Sequence, residues 1–147
     1  VDYPSQGEER QILDRMISGE APAVGRVLAG DTVRGLTRRV REVYMDDRLR
    51  DYIVALVSAT RTPREVGLVD LAPLIAYGAS PRATLAFSEA SRAVAFLRGR
   101  GYVVPEDVKE IARDVLRHRV LLTYEAEAED VTSDTVIDRI LERVEVP

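Results

Sequence analysis

The chain has no cysteine and no tryptophan, two phenylalanines and a single histidine, His118. Without cysteine there can be no disulfide, no thiol nucleophile and no thiolate-held metal. One histidine cannot supply a multi-histidine metal site, so no metal is expected to be held by this chain. A core poor in aromatic bulk must be filled by Ala, Val, Leu and Ile, which suits closely packed helices better than an aromatic-rich sheet. Lysine is nearly missing as well: Lys109 is the only one among 21 basic residues. Set against 25 acidic residues, these leave a net charge of −4 and a pI of about 5.1. That balance lacks the basic footprint of a duplex-DNA binder, so no nucleic-acid partner is expected. No apolar run approaches the ~20 residues needed to cross a bilayer. The start, Val1-Asp2-Tyr3-Pro4, carries no signal-peptide pattern and no initiator Met. A cytoplasmic piece of a longer protein is the resulting expectation.

What is present reads as one all-α domain over residues 1–147, a bundle of about six helices. Ser5 followed by Glu8 forms a capping box, with Pro4 outside it, and Ile12, Leu13, Met16 and Ile17 then recur at helical spacing until Gly19. Residues 20–30 read as a loop with room for one helical turn. Asp31 or Thr32 opens a second helix striped by Val33, Leu36, Val40 and Val43. Asp46 and Asp47 open a third, with Leu49, Tyr52, Ile53, Leu56, Val57 and Thr60 on one face and Pro63 ending it. Residues 64–79 form a connection with apolar patches at 68–71 and 74–75. Ser80-Pro81 is a strong helix start, since Ser suits the N-cap and Pro the first helical position. Ala83, Ala86, Ala90, Ala93, Val94 and Leu97 give that helix a small-residue face. Pro105 opens a further helix that closes on Arg117-His118-Arg119, and Thr132 or Ser133 opens the last. Residues 119–124 are β-branched enough for a short strand that could pair with 102–104 as a minor two-stranded ribbon. Gly7 inside the first helix weakens it by up to ~1 kcal/mol relative to Ala.

Candidate chemistry is sparse. There is no G-x-x-x-x-G-K-[ST] phosphate loop and no paired acids at a strand end to hold Mg²⁺. The acidic pairs Asp46–Asp47 and Glu106–Asp107 sit at helix starts, where they favour the dipole. Glu125, Glu127, Glu129 and Asp130 form an acidic loop without the ligand spacing or glycine of a calcium site. His118 at a helix end suits contact with backbone carbonyls. The informative stretch is Gly78-Ala79-Ser80-Pro81-Arg82-Ala83. Arg82 falls near the second helical position, where a cation meets the positive end of the macrodipole at a cost of about 0.3–1 kcal/mol. An anion site would break the local rule in this way, because helix N-termini and guanidinium groups both favour phosphate. An arginine extending into solvent would break it equally.

That stretch resembles the sensor-two segment of the MoxR family of AAA+ ATPases. Flanking pieces are similar to the family in the same order: Tyr3-Pro4-Ser5 with Glu8-Glu9, Val40-Arg41-Glu42-Val43-Tyr44, Ala59-Thr60-Arg61 before Pro63, and Gly99-Arg100-Gly101-Tyr102-Val103 before Pro105-Glu106-Asp107-Val108. Val115-Leu116-Arg117-His118-Arg119 and the ending Ile140-Leu141 to Val146-Pro147 complete the resemblance, which covers nearly the whole chain. It implies the helical lid that follows an α/β nucleotide-binding core, with the core upstream of this chain. Arg82 would then be the sensor-two arginine, catalytic toward ATP held with Mg²⁺ by that core. Ser80, Pro81 and Arg82 would be nucleotide-binding, and Arg61 is a further candidate that faces nucleotide, a neighbouring subunit or its own helix end. The resemblance also implies a hexameric ring, contact with the chain's own AAA+ core, and chaperone-like remodelling or metal or cofactor insertion in client proteins. Proteins with von Willebrand factor A domains are the implied partners. The lid alone would not hydrolyse ATP. A stand-alone helical adaptor without any nucleotide role is the rival reading.

Overall fold

The computed structural model describes residues 3–19 and 23–147; Val1, Asp2 and residues 20–22 of the expected loop lie outside the described residues. Among the described residues there are eight α-helices, two 3₁₀ turns and one two-stranded ribbon. The chain divides after Val33 into two compact units.

In the first unit, α1 (Gln6–Ser18) forms for the reasons its sequence gives. The Ser5 hydroxyl and the Glu8 carboxylate cap each other's backbone, and Gly19 ends the helix at φ 69°, a left-handed conformation open to glycine at no steric cost. Gly7 lies within the helix. Nothing on α1 is buried: Ile12, Leu13, Met16 and Ile17 form a stripe, and the last two are 74% exposed. α2 (Gly30–Glu42) crosses into the second unit; its Val33 and Leu36 are exposed and Val43, just beyond it, is buried.

The second unit holds the core. α3 (Asp47–Ala59) is capped by the Asp46 carboxylate accepting from the Arg48 N–H, and it buries Leu49, Tyr52, Ile53, Leu56 and Val57. After it come 3₁₀ turns at Pro63–Val66 and Val69–Leu71, then β1 (Ile75–Tyr77), then α4 (Pro81–Leu97). α4 buries Ala83, Phe87, Ser91 and Ala95, a strict four-residue ridge. This corrects the small-residue face expected from sequence: Ala86, Ala90, Ala93 and Val94 flank the ridge and Leu97 is exposed.

The helix expected from Pro105 is broken. α5 (Pro105–Glu110) stops at Ile111, where ψ falls to −2°, and α6 (Ala112–Leu116) resumes. The acidic segment is also not a plain loop. Thr123 caps a short α7 (Tyr124–Ala128) that buries Ala126. α8 (Ser133–Arg143) closes the core with Val136, Ile137 and Ile140.

The ribbon exists but with another partner. β2 (Leu121–Leu122) pairs antiparallel with β1, not with 102–104. Residues 102–104 are otherwise engaged. The Tyr44 N–H donates to the Gly101 carbonyl at 2.9 Å, and the Val103 N–H donates to the Tyr44 carbonyl at 3.0 Å.

Candidate functional site

The stretch 78–83 folds as its chemistry dictates. Ser80 is extended (φ −77°, ψ 168°) and takes the N-cap position, and Pro81 supplies the first helical φ without a wasted donor. The Ser80 hydroxyl makes no capping bond; its carbonyl accepts from the Ala83 N–H at 2.9 Å. The first turn carries no acidic residue. Arg82 is exposed, and no described residue pairs with its guanidinium. Several other arginines of the second unit are committed: Arg139 to Asp70, Arg113 to Asp138, Arg92 to the Val43 carbonyl and Arg143 to the Val66 carbonyl. The N-terminus of α4 is therefore an open, doubly cationic end, one helix dipole plus one guanidinium, with nothing anionic of its own to answer it.

A second element is held against this one. A Cβ on Gly78 would overlap the Thr60 carbonyl, 2.6 Å to its carbon, and would meet the Arg61 Cγ at 2.7 Å. Only glycine allows that approach. At the next residue the buried Ala79 N–H donates to the Thr60 hydroxyl at 2.9 Å, while that hydroxyl donates to the Val57 carbonyl at 2.6 Å. So the C-terminus of α3, with Arg61, is seated at the entry to α4, with Arg82. Beside Arg61, between the end of α3, the 3₁₀ turn at Pro63–Val66 and β1, lies an open depression of about 370 Å³ lined by Thr60, Arg61, Arg64, Glu65, Ile75 and Gly78, among others; Arg82 does not line it.

Arg61 is exposed and its guanidinium has no partner among the described residues. It does not serve its own helix end. The late carbonyls of α3 are taken by hydroxyls, Thr60 to Val57 and Thr62 to Ser58. His118 likewise does not cap α6; Arg119 donates to the Val115 carbonyl in that role. Ser80, Pro81 and Arg82 thus follow directly on the contact between Gly78 and Arg61, and His118 has no part in it. Sequence reading passed over Thr60 as one more member of an apolar stripe. The signal was its hydroxyl, on a face otherwise made of Leu, Ile, Val and Tyr.

A contrasting cluster lies at the start of α5. Asp107 is fully buried and accepts from Arg98 at 3.0 Å, from Arg100 at 2.5 and 2.8 Å and from the Val104 N–H at 3.0 Å. Burial pushes its carboxyl up, but the Arg100 and Val104 hydrogen bonds and the charges of Arg100 and Arg98 outweigh that and hold it below the usual aspartate range. This is more than the dipole interaction expected of Glu106–Asp107: the carboxylate pins the turn between α4 and α5.

Residues 70–140 match the model of the AAA lid domain. Over its whole length the chain is 43% identical to chaperone MoxR1 of Mycobacterium tuberculosis, covering 39% of that protein. It is 33% identical to the uncharacterized protein YeaC of Bacillus subtilis, covering 43% of it. A crystal structure described as a "putative ATPase" from Cytophaga hutchinsonii superposes on all of the chain with a TM-score of 0.89 and 36% identity, the match covering 45% of that molecule. The chain therefore spans about two fifths of the length of the curated relatives it matches.

Proposed function

Because the chain belongs to the MoxR family of AAA+ ATPases, as a helical lid domain, we propose that residues 1–147 act as the nucleotide-sensing lid of such an ATPase and that Arg82 reads the γ-phosphate. In this reading ATP and Mg²⁺ are held by an ATPase core that precedes the lid. The observation that carries it is the state of Arg82: exposed, unpaired among the described residues, and set on a helix N-terminus whose dipole it opposes. The donors at this end suit a phosphate: the guanidinium fork, the exposed Ser80 and, across the seam at Gly78, Arg61. Mg²⁺ in the core would neutralise charge on the transferring phosphoryl group.

The lid's own contribution is positional and electrostatic. Closing on the bound nucleotide brings Arg82, and with it Arg61, against the phosphate chain and excludes water. Loss of the γ-phosphate removes that contact, and the lid is released. Repeated closure and release within a hexameric ring, against the chain's own core and its neighbours, would drive chaperone-like remodelling or cofactor insertion in client proteins, with von Willebrand factor A domain proteins as partners. The relative named a chaperone supports the chaperone-like part of this reading.

The test pairs two measurements on Arg82→Ala. ATP turnover of the full-length protein should fall by a factor on the order of 10² to 10³, with Arg82→Lys recovering only part because an ammonium lacks the planar fork. The melting temperature of residues 1–147 should hardly move, since the side chain packs against nothing. Unchanged turnover would favour the stand-alone adaptor, for which the exposed stripes of α1 and α2 would be the working surface.

A further inference from the structure

We infer that Thr60 is a positioning residue whose buried hydroxyl presets the placement of Arg61 and Arg82 together, an inference that rests on the proposed phosphate role of Arg82. The hydroxyl joins two segments, the end of α3 and residues 78–79. It donates to the Val57 carbonyl one turn back in α3, at 2.6 Å, and accepts the Ala79 N–H at 2.9 Å. Thr60, Val57 and Ala79 are all fully buried, so these bonds have no water to exchange with. The flanking contact is backbone on backbone, with Gly78 against the Thr60 carbonyl. A hydrogen bond is directional, and a contact without a Cβ is rigid. Together they remove the freedom of residues 78–79 to slide along α3.

From Ala79 to Arg82 little freedom remains. Pro81 fixes one φ and the first turn of α4 fixes the rest. On the other side Arg61 is the next residue after Thr60, its N–H bonded to the Ser58 carbonyl at 2.8 Å and its Cγ lying against Gly78. One hydroxyl therefore spaces both arginines, and an anion that met them would meet a preset pair. Valine would fill the same space on this apolar face, so packing gives no reason for threonine; the bond to Ala79 does. Misplacement of a charged group by about 1 Å can cost on the order of 10²-fold in rate.

The experiment uses the full-length protein and four variants: Thr60→Val, Thr60→Ser, Arg82→Ala and the Thr60→Val/Arg82→Ala double. Turnover is normalised to folded protein, well below each melting temperature. Thr60→Val should lower kcat about tenfold with a smaller change in KM, and Thr60→Ser, which keeps both bonds, should restore it. In the Arg82→Ala background Thr60→Val should cost clearly less than tenfold, because one of the two groups it positions is gone and only the share owed to Arg61 remains. An equal tenfold loss in that background, or failure of Thr60→Ser to rescue, would reduce Thr60 to a structural residue and overturn the inference while leaving Arg82 standing. Unchanged turnover in Arg82→Ala would overturn both. Gly78→Ala displaces the same segment sterically and should show the same dependence on Arg82, so the test survives if Thr60→Val does not fold.

Discussion

Two helices of this molecule start alike and end up opposite. α4 and α5 both open on Pro at the first position, behind a residue in extended conformation whose side chain caps nothing. At α5 the third position is Asp107, which accepts the Val104 N–H and is enclosed by Arg98 and Arg100. At α4 the second position is Arg82, exposed and without a partner among the described residues. The first start is electrically closed and carries stability. The second is electrically open and carries a charge that costs stability where it stands. The start at residue 107 is answered by the chain's own side chains, and the start at residue 82 is not.

The comparison breaks first at Asp107. Asp107→Asn should destabilise residues 1–147 by about 3 kcal/mol, the low end for a broken buried pair, since both arginine heads reach water. Chemical denaturation of the two proteins measures it; a loss under 1 kcal/mol would mean the start of α5 is no more closed than that of α4. A pH series sharpens the point. The folded carboxyl titrates below its unfolded value, near 3.9. Its contribution is therefore fully present above about pH 4 and is lost as pH falls through the lower folded value. The stability gap between wild type and Asp107→Asn should be widest at neutral pH and should close on acidification; a constant gap would contradict the charge argument. The smallest effect is at α4. Arg82→Glu should raise the stability of residues 1–147 by about 0.3–1 kcal/mol, by matching the dipole, while abolishing any phosphate contact. A melting temperature that drops instead would make Arg82 a structural residue.

The half of this contrast that lies at Ser80-Pro81-Arg82 was legible in the sequence, because caps, prolines and dipole rules act within a few residues. The half at Asp107 was not. An aspartate at a helix start reads the same whether it faces water or two arginines, and Arg98 and Arg100 come to it through the turn at Gly99, with φ 71°. The ribbon was legible as an element but not in its pairing. Val103-Val104 look more like a strand than Ile75-Ala76-Tyr77, yet their N–H groups are engaged by the Tyr44 carbonyl and the Asp107 carboxylate, and a three-residue strand shows no alternation to read. Nothing local marks the break at Ile111, which has neither Gly nor Pro beside it. The stripe of α1 was read correctly as apolar, yet it stays exposed, because periodicity reports which face would be buried and not whether anything covers it.

The seating of α8 has a consequence for how the second unit comes to be folded at all. Arg139 reaches back 69 residues to Asp70, and Arg143 reaches back 77 to the Val66 carbonyl. The same helix supplies Val136, Ile137 and Ile140 to the centre of the core. Contacts this distant in sequence must close a long loop before they return any energy, and they slow folding accordingly. On the ribosome α3 and α4 would emerge early and pair, but the faces of α3 and α6 that α8 covers would stay open until residues 133–143 are made. The packing of the core around α8 would then be completed only late in synthesis of this stretch.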